Sequence, residues 1–217
     1  MTEAFTPPTR FAVPRRIAVS EPAAAVWQTA TLTGIRRETP RVGTFRFAVP
    51  AWAGHQPGQH LMLRLTAEDG YVAQRPYSIA SAPDDSGHIE LTLGHVEGGE
   101  VSGWLHTVAR PGDRVELRGP LSGFFAWPGD RPALLIGAGS GVVPLMSMVR
   151  HHRARDLSVP LRLLVSARSP DELIYAREYG AETTPVFTRG APRGVPVGRM
   201  TAAHVAPLLA EIGRAHV

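Results

Sequence analysis

The feature that most constrains this chain is a change of hydrophobic pattern around Trp127-Pro128-Gly129-Asp130-Arg131-Pro132. Beyond it, Ala133-Leu134-Leu135-Ile136 is an unbroken apolar run, as a parallel strand buried on both faces requires. A glycine loop follows at once, then a helical stretch from Val142 to about Arg155 with Leu145, Met148 and Val149 on one side. Leu161 to Val165 predicts a second buried strand, Asp171 to Tyr179 a helix and Thr184 to Thr188 a third strand. Thr201 is a plausible N-cap for a last helix from Ala202 to about Ala210, despite Pro207 within it. Alternating strands and helices of this kind predict half of a doubly wound parallel sheet.

Before that boundary the pattern has period two. Val26 to Thr33, Gly43 to Val49, His60 to Leu65, Tyr71 to Ala80, His88 to Val96 and Arg114 to Arg118 read as strands. Turns at Gln56-Pro57-Gly58-Gln59, Pro83 to Gly87 and Arg110 to Asp113 separate several of them. Only Val101 to Val108 reads as helical here. Six short strands with frequent turns predict a small antiparallel barrel. The expected organisation is an extended arm over residues 1–20, a barrel domain over 21–129 and an α/β domain over 130–217.

Composition removes several kinds of chemistry. The 217 residues include no Cys, so the chain offers no disulfide, thiolate metal site or thiol nucleophile. Lys and Asn are also absent, and Arg supplies all 23 basic charges; both missing residues use A/T-rich codons, which points to a high-GC, bacterial genome. The net charge of +4 is mild and its charges are interspersed, unlike the clustered basic face of a nucleic-acid binder. No apolar run is long enough for a membrane span or a signal peptide, so a cytoplasmic protein is expected. His151-His152 closes a predicted helix, where cations suit the dipole. The remaining histidines have no ligand spacing, so no metal site is expected. Trp104 and Trp127 read as packing residues.

Three clusters carry candidate chemistry. In Gly137-Ala138-Gly139-Ser140-Gly141-Val142-Val143-Pro144, glycines at a strand-to-helix junction let backbone amides approach a pyrophosphate. Pro144 falls in the first helical turn, where its missing N–H costs nothing. A ligand-free turn explains the same residues. In Arg75-Pro76-Tyr77-Ser78, strand alternation puts Arg75 and Tyr77 on one face. A forked donor, a flat amphipathic ring and a hydroxyl there suit an aromatic ring with a phosphate tail, and they equally suit an ordinary strand. In Gly98-Gly99-Glu100-Val101-Ser102, a glycine turn opens the barrel's only helix, with Ser102 near the cap; this suits a phosphate or simple capping.

Taken in this order, the clusters resemble the ferredoxin–NADP reductase superfamily of flavin oxidoreductases, from about Val26 onward. The resemblance rests on Arg-x-Tyr-Ser at Arg75, Tyr77 and Ser78, on Gly-x-x-Ser at Gly99 and Ser102, and on Gly-Ser-Gly-x-x-Pro from Gly139 to Pro144. It implies a six-stranded antiparallel barrel that binds FAD, followed by a doubly wound NAD(P)-binding domain. It further implies that Arg75 contacts the flavin phosphate, that Tyr77 lies against the isoalloxazine and that Ser78 sits near the hydride-accepting N5, these last two being the catalytic candidates. Gly99, Val101 and Ser102 would hold flavin phosphates, and Gly139, Ser140, Gly141 and Pro144 would lie under the nicotinamide nucleotide. Ser166 and Arg168, at the end of the second buried strand, suit the 2′-phosphate of NADPH better than the free ribose of NADH, and Arg189 could join them.

The implied reaction is hydride transfer from NADPH to FAD, then release of single electrons to a ferredoxin or a redox enzyme. Three other readings stay open: an FMN reductase whose C-terminal iron–sulfur domain is missing, a flavin-binding electron-transfer subunit with little NAD(P)H activity, and a nucleotide-binding module without flavin. Members of the superfamily continue past the last helix into a further strand with a Cys-Gly-Pro-like segment. Here the sequence ends Glu211-Ile212-Gly213-Arg214-Ala215-His216-Val217. These seven residues are what a common sequencing-library adapter encodes, so authentic sequence is expected to end at about Ala210 and the nucleotide domain to be truncated.

Overall fold

A computed structural model describes residues 26–84, 86–121 and 125–214. The expected N-terminal arm and the last three residues, 215–217, lie outside the described residues. Six strands, β1 (Trp27–Thr39), β2 (Val42–Ala48), β3 (His60–Thr66), β4 (Val72–Ser78), β5 (His88–Gly94) and β6 (Arg114–Leu121), form one antiparallel sheet in the order β4-β3-β6-β1-β2-β5. Its edge strands approach each other through a bridge between Ile79 and Leu91, which curls the sheet into a barrel.

The register follows from period two. Phe45 and Phe47 on β2, Leu61 and Leu63 on β3, Ile89 and Leu91 on β5, and Val115 and Leu117 on β6 all turn inward and are buried. A single-residue slip would expose each set. Helix α1 (Glu100–Thr107) spans β5 to β6 in sequence and closes the barrel with Val101 and Leu105, one turn apart on one face.

The second sheet is parallel and ordered β7-β8-β9, from β7 (Ala133–Ala138), β8 (Leu161–Ala167) and β9 (Thr183–Phe187). Odd-numbered Leu135, Leu163, Val165 and Phe187 face Leu145 and Val149 of α2 (Val143–Ala154). Even-numbered Leu164 and Val186 pack with Leu208 of α3 (Ala202–Arg214) on the other side. Helices therefore cover both faces, as a doubly wound sheet requires.

Several expectations need correction. β1 runs to Thr39, well past Thr33, because its far half carries Arg36 and Glu38 outward while still pairing with β2. The helix expected from Asp171 to Tyr179 is a three-residue 3-10 turn, Pro170–Glu172, followed by turns. The reason is that Leu173, Ile174 and Tyr175 are all buried. Three consecutive residues sweep about 200° around a helix and cannot share its buried face. The chain instead takes a left-handed turn at Tyr175 (φ 63°), which sets all three into the interior. Ser102 is not the cap of α1: Gly99 holds that position, and the Ser102 hydroxyl accepts from the Val96 N–H at 3.3 Å.

The two sheets meet along a polar seam. Arg150 of α2 donates to the Ala80 carbonyl at 2.9 Å, to Glu90 of β5 at 3.0 Å and to Glu178 at 2.7 Å. The Ser147 hydroxyl donates to the Ser81 carbonyl at 2.6 Å. That carbonyl also lies 3.1 Å from Nε2 of His55, whose Nδ1 accepts from the Trp52 indole at 3.2 Å. Accepting at Nδ1 and donating at Nε2 requires a neutral ring. Burial holds His55 below the 6.5 of an unperturbed imidazole, outweighing the Ser81 carbonyl. The unfolded chain takes up this proton while the folded one refuses it, so the contribution is whole above 6.5 and lost as pH falls through the lower folded value. His106, also lowered mainly by burial, adds the same sign. The urea midpoint is therefore expected to fall between about pH 7 and about pH 5, and His55→Gln to flatten that fall. An equal slope in the variant would contradict the assignment.

Candidate active site

The seam opens into a cavity of about 1020 Å³ between the barrel and the parallel sheet. From the barrel it is lined by Arg75 to Ser78 at the end of β4, Thr92 to Val96 at the end of β5, and Gly99 to Ser102 at the start of α1. From the other side come Ala138 at the end of β7 with Gly139, Ser140 and Val143 after it, and Ser166 and Ala167 at the end of β8 with Arg168 after them. The carboxyl ends of parallel strands are where open α/β sheets bind ligands.

All three sequence clusters thus meet in one place. Pairing of Tyr77 with Leu61 and of Arg75 with Leu63 sets these two side chains on a common face of β4, with Ser78 on the other. Arg75 donates to the Gln74 carbonyl at 2.7 Å and pairs with Glu100 at 3.2 Å. Tyr71 donates its hydroxyl to the same carboxylate. The Tyr77 ring is half-buried against the barrel core, and burial pushes its phenol up, so it stays protonated at neutral pH. The first turn of α1 lines the cavity with Gly99 to Ser102, and the backbone N–H groups of a first helical turn have no intrahelical partners. Gly99 is needed there: a Cβ would stand 2.5 Å from the Ser102 hydroxyl and 3.0 Å from the Val96 carbonyl. Gly139 has φ 51° and open space where a side chain would stand, leaving the loop backbone bare toward the cavity.

The cavity does not gather every candidate. Gly139 and Ser140 line it, whereas Gly141 and Pro144 lie outside its lining, and Pro144 is held within the first turn of α2. Ser166 and Arg168 line it with Thr188, while the exposed Arg189 does not. Arg168 stands 3.7 Å from Glu172, so an acidic group shares its corner of the cavity. The turn from Thr39 to Val42 also contributes a wall that carried no motif. Its place depends on pairing of β2 with β5, and the Arg41 carbonyl accepts from the His95 N–H at 2.7 Å.

Comparison with known proteins agrees with this geometry. Residues 29–126 match the oxidoreductase FAD-binding domain family. The chain is 36% identical over 146 residues (65% of this chain) to the glycine betaine monooxygenase reductase subunit of Pseudomonas aeruginosa, covering 39% of that protein. It is 37% identical over 139 residues (64% of this chain) to ferredoxin–NADP reductase B of Sorangium cellulosum, covering 54% of it. The chain thus spans well under two thirds of these curated relatives. Among solved structures, it aligns with a ferredoxin–NADP⁺ reductase from Neisseria gonorrhoeae with bound FAD and NADP at a TM-score of 0.69 and 23% identity, over 87% of this chain and 78% of that one. The Amycolatopsis cytochrome P450 reductase GcoB aligns at 0.68 and 28% identity, over 84% and 58%. A six-stranded barrel joined to a small parallel sheet is the fold that these solved structures share with the chain. Over residues 29–126 the chain is similar to the oxidoreductase FAD-binding domain family, and over about two thirds of its length it is similar to reductases of the ferredoxin–NADP reductase kind.

The residues present fit an FAD. The cavity is large, the first turn of α1 and Arg75 supply donors for phosphates, and Tyr77 supplies a flat partner for a ring. Gly99→Ala is expected to push Ser102 from its bond with Val96, costing about 1 to 3 kcal/mol and weakening FAD retention. Thermal melting and the flavin absorbance of the purified protein check both; an Ala variant that melts and binds like the parent would contradict the packing argument.

Proposed function

We propose that this chain is the flavin- and nucleotide-binding part of a reductase that takes hydride from NADPH and passes single electrons to a ferredoxin or a redox enzyme. The observation that carries it is the single cavity joining Arg75, Tyr77, Ser78 and the start of α1 to the Gly139-Ser140 loop and the end of β8. Several relatives bear the names of reductase components of oxygenase systems, which supports a protein electron acceptor here.

In this reading Arg75 exchanges Glu100 for a flavin phosphate, and the N–H groups of Val101 and Ser102 hold the remaining phosphate oxygens. Tyr77 orients the flavin ring and Ser78 stands by its reacting edge. Gly139 and Ser140 bring bare backbone against the nicotinamide nucleotide, while Val42, Val101, Val143 and Ile174 give the cavity apolar walls that exclude water. Bound FAD supplies the two-electron to one-electron conversion; the protein supplies position and dielectric. Ser166 and Arg168 favour the additional phosphate of NADPH. Among the described residues no helix is long and apolar enough to cross a membrane, and we place the protein in the cytoplasm.

The test is anaerobic titration of the FAD-loaded chain with NADPH, read as bleaching of flavin absorbance. Stoichiometric bleaching is expected; a chain that holds FAD but is bleached by neither NADPH nor NADH would overturn the hydride-transfer reading. Arg75→Leu is expected to weaken FAD binding by about 2 kcal/mol, on the order of thirtyfold in Kd, as loss of a charge-assisted phosphate contact does. Arg168→Ala is expected to raise the NADPH concentration for half-maximal reduction about tenfold with little change for NADH. An equal change for both nucleotides would remove Arg168 from the 2′-phosphate.

A further inference from the structure

The corner of the cavity at the end of β8 holds two opposite charges. Arg168 follows β8 directly, and Glu172 closes the 3-10 turn Pro170–Glu172. Both line the cavity, with Ser166 and Thr188 beside them. Nε of Arg168 stands 3.7 Å from Oε2 of Glu172. Among the described residues only two carboxylates line the cavity. Glu100 belongs to α1 and engages Arg75 and Tyr71, so Glu172 is the one on the side of the parallel sheet.

The backbone under this pair is fixed, whereas the side chains are free to part. The Arg168 carbonyl accepts from the N–H groups of Arg189 at 2.9 Å and Gly190 at 3.0 Å, which ties it to the end of β9. The Glu172 N–H donates to the Ser169 carbonyl at 3.1 Å, and the buried Leu173, Ile174 and Tyr175 that follow anchor the turn. The two side chains are 62% and 49% exposed. At that exposure water screens their attraction, so the pair is weak and opens at little cost to the fold.

The two ends of the pair meet the two nicotinamide nucleotides differently. These nucleotides differ at one ribose, where NADPH carries a phosphate of charge about −1.5 to −2 at neutral pH and NADH a hydroxyl. A guanidinium attracts the phosphate and offers it a fork of donors. An ionised carboxylate has only acceptor oxygens, so it repels the phosphate and takes a hydrogen bond from the hydroxyl. When Arg168 turns to a phosphate, Glu172 loses its partner and faces a like charge. When the ribose is free, Glu172 accepts from its hydroxyl and keeps Arg168 as a neighbour.

We propose that Glu172 is a specificity residue that holds down the preference for NADPH which Arg168 creates, so that the site takes both nucleotides. The proposal rests on the reading of the cavity as a flavin and nicotinamide-nucleotide site. Arg168 supplies attraction for the additional phosphate. Glu172 supplies repulsion against it and an acceptor for the free ribose. The charge of Glu172, rather than its size, carries the effect.

The test uses the 217-residue chain loaded with FAD. Binding of 2′,5′-ADP and of 5′-ADP is read by calorimetry, and flavin bleaching by NADPH and by NADH is read on the same samples. Glu172→Gln keeps the shape and removes the charge. It is expected to raise the affinity for 2′,5′-ADP relative to 5′-ADP about tenfold, and to favour NADPH over NADH in bleaching by a similar factor. Arg168→Ala is expected to move both ratios the opposite way. A merely structural role for Glu172 would weaken both fragments together; an unmoved ratio, with FAD retained and bleaching intact, overturns the specificity role alone. A chain bleached by neither nucleotide overturns the functional reading beneath it. Should Glu172→Gln fold poorly, Glu172→Ala, which also removes the charge, decides the matter by the same ratio.

Discussion

The Arg150 contacts are the constraint on which the functional geometry depends. One guanidinium, rooted in α2 behind the glycine loop, reaches the Ala80 carbonyl and Glu90 on the barrel and Glu178 on the irregular turn after β8. It stacks over Tyr175 at 5.0 Å, so the same side chain covers the residue whose left-handed backbone replaces a helix. A partly buried cation held by two carboxylates and a carbonyl has little freedom to shift. The orientation of one sheet against the other follows, and with it the shape of the cavity between them.

Within that frame both sides of the cavity carry a glycine at the junction of a strand or turn with a helix. The start of α1 combines Gly99, which only an absent side chain can fit, with Arg75 close by. After β7, Gly139 exposes backbone for a different reason, a left-handed φ with open space beside it. The Glu100 carboxylate already engages Arg75, which marks the anion-binding direction of that guanidinium and means an incoming phosphate must compete for it.

The barrel was legible because period-two alternation survives in its core strands: Phe45 and Phe47, or Leu61 and Leu63, declare their inward face without help. β7 was legible from four consecutive apolar residues. Local pattern failed where tertiary contacts decide. Leu173-Ile174-Tyr175 looks helical in isolation, and only burial of all three residues, enforced by Arg150 and the sheet, excludes a helix. The far half of β1 is polar and gave no strand signal, yet pairing with β2 extends it to Thr39. For the site, motif residues Arg75, Tyr77, Ser78, Gly99, Val101, Ser102, Gly139, Ser140, Ser166 and Arg168 do line one cavity. The wall from Thr39 to Val42, together with Thr92, came only from strand register, which no short motif encodes.

The central claim is that the seam cavity holds the flavin with its phosphates at Arg75 and α1 and its ring against Tyr77. A crystal structure of the chain with FAD tests this most directly. The account predicts phosphate oxygens within hydrogen-bond distance of the Arg75 guanidinium and the Val101 and Ser102 N–H groups, with Arg75 released from Glu100 and the ring stacked on Tyr77. Flavin bound elsewhere, or bound here with Arg75 still paired to Glu100 and Tyr77 bare, would contradict it.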